Sequence, residues 1–527
     1  MKGYRHFFNF IVLWNTRRLQ PLVLILCCAF FLTFSACHSY SKKVFQAREA
    51  FYCSNLESAV NSISEERKKA VNAKNKDVLK LEEAMIRLCQ GNFRESETLL
   101  REVRDSFDNL ENQKLKNNAE KAASMLADDC ILAYPGEDYE KVMIRVMLAL
   151  NSLMMNGEDV RAYANQINLK QEEIIAKSEV DPETKEKVKK SYRNLAIAPY
   201  LCGILDDENI SAQQDQVREF TKVTQWSPNF HGGREMLERA KNGVHSQKGN
   251  GVVYVFALVG HGPFKREVNA EVTQAAMLIS DIIISSASKH TVTPTIAPVP
   301  IPEITLAPCR YRAAKVTTGD GKSVLTEKIT DINTMAIEQF EVNKPWIIAR
   351  AAARRAVKKA GLYGVKEVAG TNSPEAELLV DLVGILWEAS EEADTRCWNL
   401  LPGSIQVARL ELPAGEHSLQ LSASEKSFQH PNSVPGFSFH ESPAQYRVNY
   451  PTFETDPASP VLSQPSAKKP FQAEPHTRKV WKKLLLAEGL NPSSCRVQVN
   501  VLDGRNTYVL VYFGDYGLIG EPHVSGQ

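Results

Sequence analysis

Apolar residues in the first half of the chain recur every three or four positions. Leu81, Met85 and Leu88 form one such set, and Leu99, Leu100, Val103 and Phe107 form the next. That spacing predicts amphipathic helices, and residues 43–242 carry few strand signals. The breakers in that stretch are Pro135, Pro182, Pro199 and Pro228. Two segments, 84–96 and 148–162, read as helix, turn, helix, with Gly91 and Gly157 placed to cap the first helix in the left-handed conformation. The pattern changes after Gly249-Asn250-Gly251. Val252 to Val259 is a continuous apolar run rich in β-branched and aromatic residues, which predicts a strand buried on both faces.

Beyond that strand the elements mix. Residues 291–309 hold five prolines among alternating Ile and Val, which predicts edge strands or extended chain. Helices are predicted over 326–339, 345–360 and 374–391. Ser404 to Leu412 and His417 to Leu421 alternate in polarity around the turn Pro413-Ala414-Gly415-Glu416, as in a hairpin. A second hairpin is predicted for 495–502 and 507–513 around Asp503-Gly504-Arg505-Asn506, completing the same sheet. Between them, residues 426–475 contain nine prolines with Ser, Gln and charged residues, a composition that cannot bury enough apolar surface to order itself. A helix is expected over 478–488.

The N-terminus follows a different logic. Lys2, Arg5, Arg17 and Arg18 precede the apolar run 22–36, and no acidic residue occurs before Glu49. The run is shorter than the roughly 20 residues a membrane-spanning helix needs, and suits a signal peptide. Phe34-Ser35-Ala36-Cys37 resembles the lipobox of bacterial lipoproteins, with Phe34 in place of the usual Leu. The resemblance implies cleavage before Cys37, acylation of its thiol and, in Gram-negative bacteria, passage to the periplasmic face of the outer membrane. An uncleaved anchor helix and an ordinary cleaved signal are the other readings.

Composition adds bounds. Hydrophobic residues make up 43% and charged residues 24% of the chain, as in globular proteins. A net charge of +1 supplies no global field to recruit nucleic acid. Seven cysteines follow Cys37 without CxxC spacing or a Cys/His cluster, so neither a zinc site nor a disulfide framework is expected. Eleven histidines form no HExxH and no GxSxG occurs, so no catalytic residue, cofactor or metal is assigned. The loop Gly260-His261-Gly262-Pro263-Phe264-Lys265 lacks the third glycine of a dinucleotide fingerprint and reads as a turn. The helix at 345–360 is basic: Arg350, Arg354 and Lys358 follow at intervals of four, beside Arg355 and Lys359. Such a stripe suits either a solvated face or contact with anionic lipid or a wall polymer.

Gly91 and Gly157 lie about two repeat lengths apart on the roughly 34-residue period of tetratricopeptide units, whose aromatic and proline positions are mostly missing. Together with Asp138 to Met143, Gly260 to Lys265, Arg350 and Arg354, Asp394-Thr395-Arg396-Cys397-Trp398, Leu401-Pro402 and Gln406 to Arg409, these patterns resemble a family of bacterial lipoproteins. Its members join tetratricopeptide-like helices to a C-terminal α+β domain, and some are encoded beside a lipoprotein activator of peptidoglycan synthesis.

The expected organisation is therefore multidomain, α plus α+β. It comprises a signal peptide (1–36), a tetratricopeptide-like helical solenoid (37–248), an α+β domain with an antiparallel sheet (249–425), a Pro-rich disordered insertion (426–476) and a C-terminal helix and hairpin completing the α+β domain (477–527). The expected role is a lipid-anchored envelope scaffold that binds proteins through its helices, with peptidoglycan-associated machinery among the partners. The alternatives are a polymer- or lipid-binding module using 345–360, and an envelope enzyme without a recognisable motif. Cys37 is the lipidation residue; Lys265, Arg350, Arg354, Asp394, Arg396 and Trp398 are the candidate binding or structural residues.

Overall fold

The computed structural model describes residues 40, 44–69, 73–116, 132–155, 157–178, 180, 186–287, 297–368, 391–428 and 493–525. Among them the chain is mixed α plus β, with eleven α-helices and twelve strands. Nine helices come first: α1 (Phe45–Tyr52), α2 (Leu56–Lys69), α3 (Lys76–Cys89), α4 (Phe93–Lys116), α5 (Asp138–Met155), α6 (Val160–Ala176), α7 (Ile197–Asp206), α8 (Gln213–Trp226) and α9 (His231–Asn242). Each packs against the next in sequence. Gly91 and Gly157 take φ of +77° and +75°. These left-handed residues let Asn92 N–H return to Arg87 O at 2.9 Å and Gly157 N–H to Ser152 O at 2.8 Å, which satisfies carbonyls left over at the ends of α3 and α5. α5 is buried from Tyr139 to Met154. Its sequence is apolar on nearly every side, as suits a helix enclosed by α4, α6 and the sheet below.

That sheet is built on β1 (Asn250–Val259), which pairs in parallel with β10 (Asn506–Gly514) and antiparallel with β7 (Ser404–Pro413). Its order is β11-β10-β1-β7-β6, where β11 is Gly517–Leu518 and β6 is Glu327–Asp331; β12 (His523–Val524) also pairs with β10. A second sheet, antiparallel, runs β5-β4-β8-β9: Ser323–Leu325, Ala313–Thr317, Gly415–Ser424 and Ser494–Val501. The two sheets face each other across Val253, Val255, Val259, Leu419, Leu421, Val499, Val509 and Phe513. The opposite face of β1, with Val252, Tyr254, Phe256 and Leu258, belongs to one continuous core with the helices. β1 is therefore the middle of three layers. Its unbroken apolar run follows from that position, since both faces are removed from water.

A two-stranded ribbon, β2 (Phe264–Ala270) with β3 (Val299–Thr305), forms a separate small core with α10 (Gln274–Ala287) and α11 (Ile332–Val368).

Three expectations are corrected. Neither predicted hairpin is one. β7 lies in the mixed sheet and β8 in the antiparallel sheet; likewise β9 pairs with β8, and β10 with β1. Each short turn carries the chain from one layer to the other. Alternation identifies the apolar face of a strand but not its neighbour, and here the outer strands cover the second apolar face of the β1 sheet. Both crossings meet at Gly249–Gly251: Ala414 N–H donates to Gly249 O at 2.8 Å and Gly504 N–H to Asn250 O at 2.9 Å. A Cβ on Gly251 would lie 2.2 Å from Leu502 O. The sheet containing β1 is accordingly mixed, not antiparallel. Finally, 326–339 and 345–360 are not two helices. Residues 327–331 form β6, paired with β7, and α11 then runs unbroken through Pro345. All of the expected helix at 374–391 but Glu391, the expected helix at 478–488, all of the insertion at 426–476 but its first three residues, and the signal up to Cys37 lie outside the described residues.

Candidate functional site

The segment Ala393–Pro402 runs into β7 beneath the helices. Two glutamates reach it from above. Glu82 on α3 accepts hydrogen bonds from Asn399 N (3.0 Å), Asn399 Nδ2 (2.9 Å), Leu400 N (3.0 Å) and the Tyr40 hydroxyl (3.1 Å). Glu140 on α5 accepts from Trp398 N (2.7 Å), Glu137 N (3.0 Å) and the Tyr134 hydroxyl (2.6 Å). The backbone between two layers is thus held by side-chain carboxylates, which meets the demand of buried N–H groups that no strand satisfies.

Basic side chains complete the arrangement. Arg396 binds Asp394 with two nitrogens, Nε at 2.8 Å and Nη2 at 2.7 Å. Its Nη1 donates to Lys74 O at 2.8 Å and Leu132 O at 2.9 Å, so it also ties the chain ahead of α3 and α5. The planar fork of arginine suits that double duty. The Tyr134 ring lies 5.2 Å from the Arg396 guanidinium and 5.9 Å from the Lys265 ammonium. Lys265 is buried and pairs with Glu137. Trp398 is fully buried, and its Nε1 has no hydrogen-bond partner among the described residues.

Burial shifts these groups. It pushes the Glu82 carboxyl up to about 7, against the pull of its donors from Asn399, Leu400 and Tyr40. Burial also raises Glu140, with Glu137 adding repulsion and Lys265 opposing it. The Cys397 thiol is pushed well up by the same desolvation. The nearby carboxylates outweigh desolvation at Lys265, which stays firmly protonated.

Of the residues singled out from sequence, Lys265, Asp394, Arg396 and Trp398 come together here. Arg350 and Arg354 do not: they are half-buried on α11, whose Ala349, Ala353 and Ala356 pack in the smaller core. Arg355, on the same basic stripe, is buried; its Nε donates to Glu391 at 2.7 Å and its Nη1 to Pro298 O at 2.6 Å. Lys358 and Lys359 have no described side chains, and Cys37 lies outside the described residues. The loop at Gly260 is a close crossing. Gly260 N–H donates to Phe513 O at 2.8 Å and Gly262 N–H to Leu401 O at 2.7 Å, so these donors face protein rather than an anion.

Glu82 and Glu140 were not singled out from sequence, although a signal existed. Glu82 falls on the buried stripe of Val78 and Met85, and Glu140 on that of Ile144 and Met147. A carboxylate in register with apolar residues marks a buried partner.

The six described cysteines, Cys53, Cys89, Cys202, Cys309, Cys397 and Cys495, are free thiols. Among the described residues no group of His, Cys, Asp and Glu could hold a metal ion, and no helix is long and apolar enough to cross a membrane. No family model, curated protein or solved structure matches the chain.

Proposed function

We propose that this chain is a lipid-anchored scaffold of the bacterial cell envelope, acylated at Cys37, held at the periplasmic face of the outer membrane and binding envelope proteins through its helices. The observation that supports it is the serial packing of α1 to α9, in which each helix meets the next along the chain. Helical arrays of that kind, tetratricopeptide-like ones among them, expose long continuous surfaces that bind protein segments. The outward side of α4 and α6 offers one. Arg94, Thr98, Glu102 and Asp105 are exposed on α4, and Leu169 on α6 is 63% exposed among charged neighbours. A large exposed apolar side chain rimmed by charge is the composition of a small binding patch.

Two measurements test this together. Mass spectrometry of the mature N-terminus reads acylation at Cys37. Crosslinking in cells, with capture of the wild-type chain and of Leu169→Arg, reads the surface. The expectation is an acylated Cys37 in the outer-membrane fraction and a defined partner lost in the variant. An unmodified N-terminus removes the anchor, and an identical capture profile for the two chains removes the α4–α6 surface.

A further inference from the structure

The fold takes hold of the chain only three residues after Cys37. Tyr40 is 6% exposed and its hydroxyl donates to Glu82 at 3.1 Å. Val44 N–H bonds back to Tyr40 O at 3.1 Å, which leads directly into α1. Three residues reach at most about 11 Å when fully extended. An acyl group on Cys37 would therefore hold the body of the protein against the headgroups, with no long linker between them.

The surface at that point has a definite chemistry. Phe45, the first residue of α1, is 39% exposed. Arg48 lies one turn along, with its guanidinium 5.7 Å from the Phe45 ring and 5.9 Å from the ring of Phe264, which opens β2. Among the described residues no carboxylate forms an ion pair with Arg48. Thr305 is the register partner of Phe264, and the next residue, Leu306, is 38% exposed. Phe and Leu side chains insert at the boundary between headgroups and acyl chains, and an arginine beside them reaches lipid phosphate while its stem stays in apolar surroundings.

We propose that Phe45, Arg48 and Phe264, with Leu306 at their edge, form a contact surface for phospholipid that sets the orientation of the body on the membrane. The inference rests on the anchor at Cys37 assumed in the preceding reading. The tether supplies the proximity: one aromatic pair and one arginine bind lipid weakly in free solution, but a site held within the tether's reach sees a very high effective concentration of headgroups.

The test uses the full chain in cells, with Phe45→p-benzoylphenylalanine as a photocrosslinking probe. The control places the same probe at Leu502, which is 56% exposed. Leu502 lies beside Gly251 at the start of β1, whereas Phe264 follows the end of that strand, so the two probes are separated by roughly 30 Å of sheet. Mass spectrometry after illumination reads both lipid adducts and the state of Cys37. The expected result is an acylated Cys37, with phospholipid joined at position 45 and none above background at 502. An acylated Cys37 with no adduct at 45, or equal adducts at both positions, overturns the contact surface and leaves the anchor standing. An unmodified Cys37 with an adduct at 45 alone removes the anchor and keeps the surface. An unmodified Cys37 without adducts removes both.

Discussion

Replacing Glu82 with Gln tests the buried carboxylate that holds the backbone at Asn399 and Leu400. The carboxyl is fully enclosed by protein, and its pKa rises from 4.5 to about 7 on folding, chiefly by desolvation. Below pH 4.5 it is protonated in both folded and unfolded chains. Between 4.5 and 7 the unfolded chain releases the proton while the folded chain retains it, so stability from this group falls as pH rises. Above 7 both forms are ionised and the loss is complete. The shift corresponds to roughly 3 kcal/mol. Gln cannot titrate, and other ionisable groups common to the two proteins largely cancel in the difference. The carboxamide keeps an acceptor for Asn399 but turns an NH2 group toward a backbone donor, a constant cost of about 1–3 kcal/mol. Urea unfolding of both proteins at pH 5, 6, 7 and 8 should then show the stability difference, wild type minus variant, shrinking with pH by up to about 3 kcal/mol. A difference that is flat, or that grows with pH, would refute the assignment of desolvation as the dominant cause. Glu82→Ala should be worse than Gln at every pH, since it strands the N–H groups of Asn399 and Leu400 at about 1–3 kcal/mol each.

Other positions give further expectations. Trp398→Ala should destabilise by about 3–5 kcal/mol because its site is fully enclosed, whereas Trp398→Phe should cost clearly less, as Nε1 has no described partner to lose; thermal unfolding compares them. Gly251→Ala should lower the unfolding temperature far more than Gly504→Ala at equal chemistry, since a Cβ at 251 meets Leu502 O at 2.2 Å while one at 504 meets nothing within 4 Å and strains only its left-handed backbone. With burial pushing Cys53 and Cys495 up to about 11, and Cys89 and Cys397 enclosed, alkylation at pH 8 should modify these four thiols slowly in the folded protein and quickly in urea, as read by peptide mass spectrometry.

The parts of the fold legible in the sequence are those in which local pattern and final environment agree. Val252–Val259 reads as doubly buried because nothing polar interrupts it, and the cap glycines at 91 and 157 announce their turns by type and position. The strand partners were not legible. The turns at 413–416 and 503–506 satisfy the local rules of a hairpin, but the second apolar face of the β1 sheet, invisible in any single segment, draws β8 and β9 into a separate layer. Residues 327–331 pair with β7 despite their helical spacing, with Thr326 Oγ1 bonded to Gln406 Oε1 at 2.7 Å, because pairing with a fixed neighbour outweighs a weak local preference. At the clasp, Asp394, Arg396 and Trp398 stood out by residue type. Glu82 and Glu140 did not, as a glutamate in a helix is ordinary until the register of its apolar neighbours is weighed.

The parallel pairing of β1 with β10 imposes an order on synthesis. Residues 252–259 leave the ribosome about 250 residues before their partners at 506–513. At 5–20 residues per second that interval is roughly 10–50 s. Throughout it the most apolar strand lacks one of its two neighbours, and the opposing sheet lacks β9. The nascent chain therefore cannot seal its middle layer until residues 494–514 have emerged, and a truncation ahead of β9 would be a defect of the whole core.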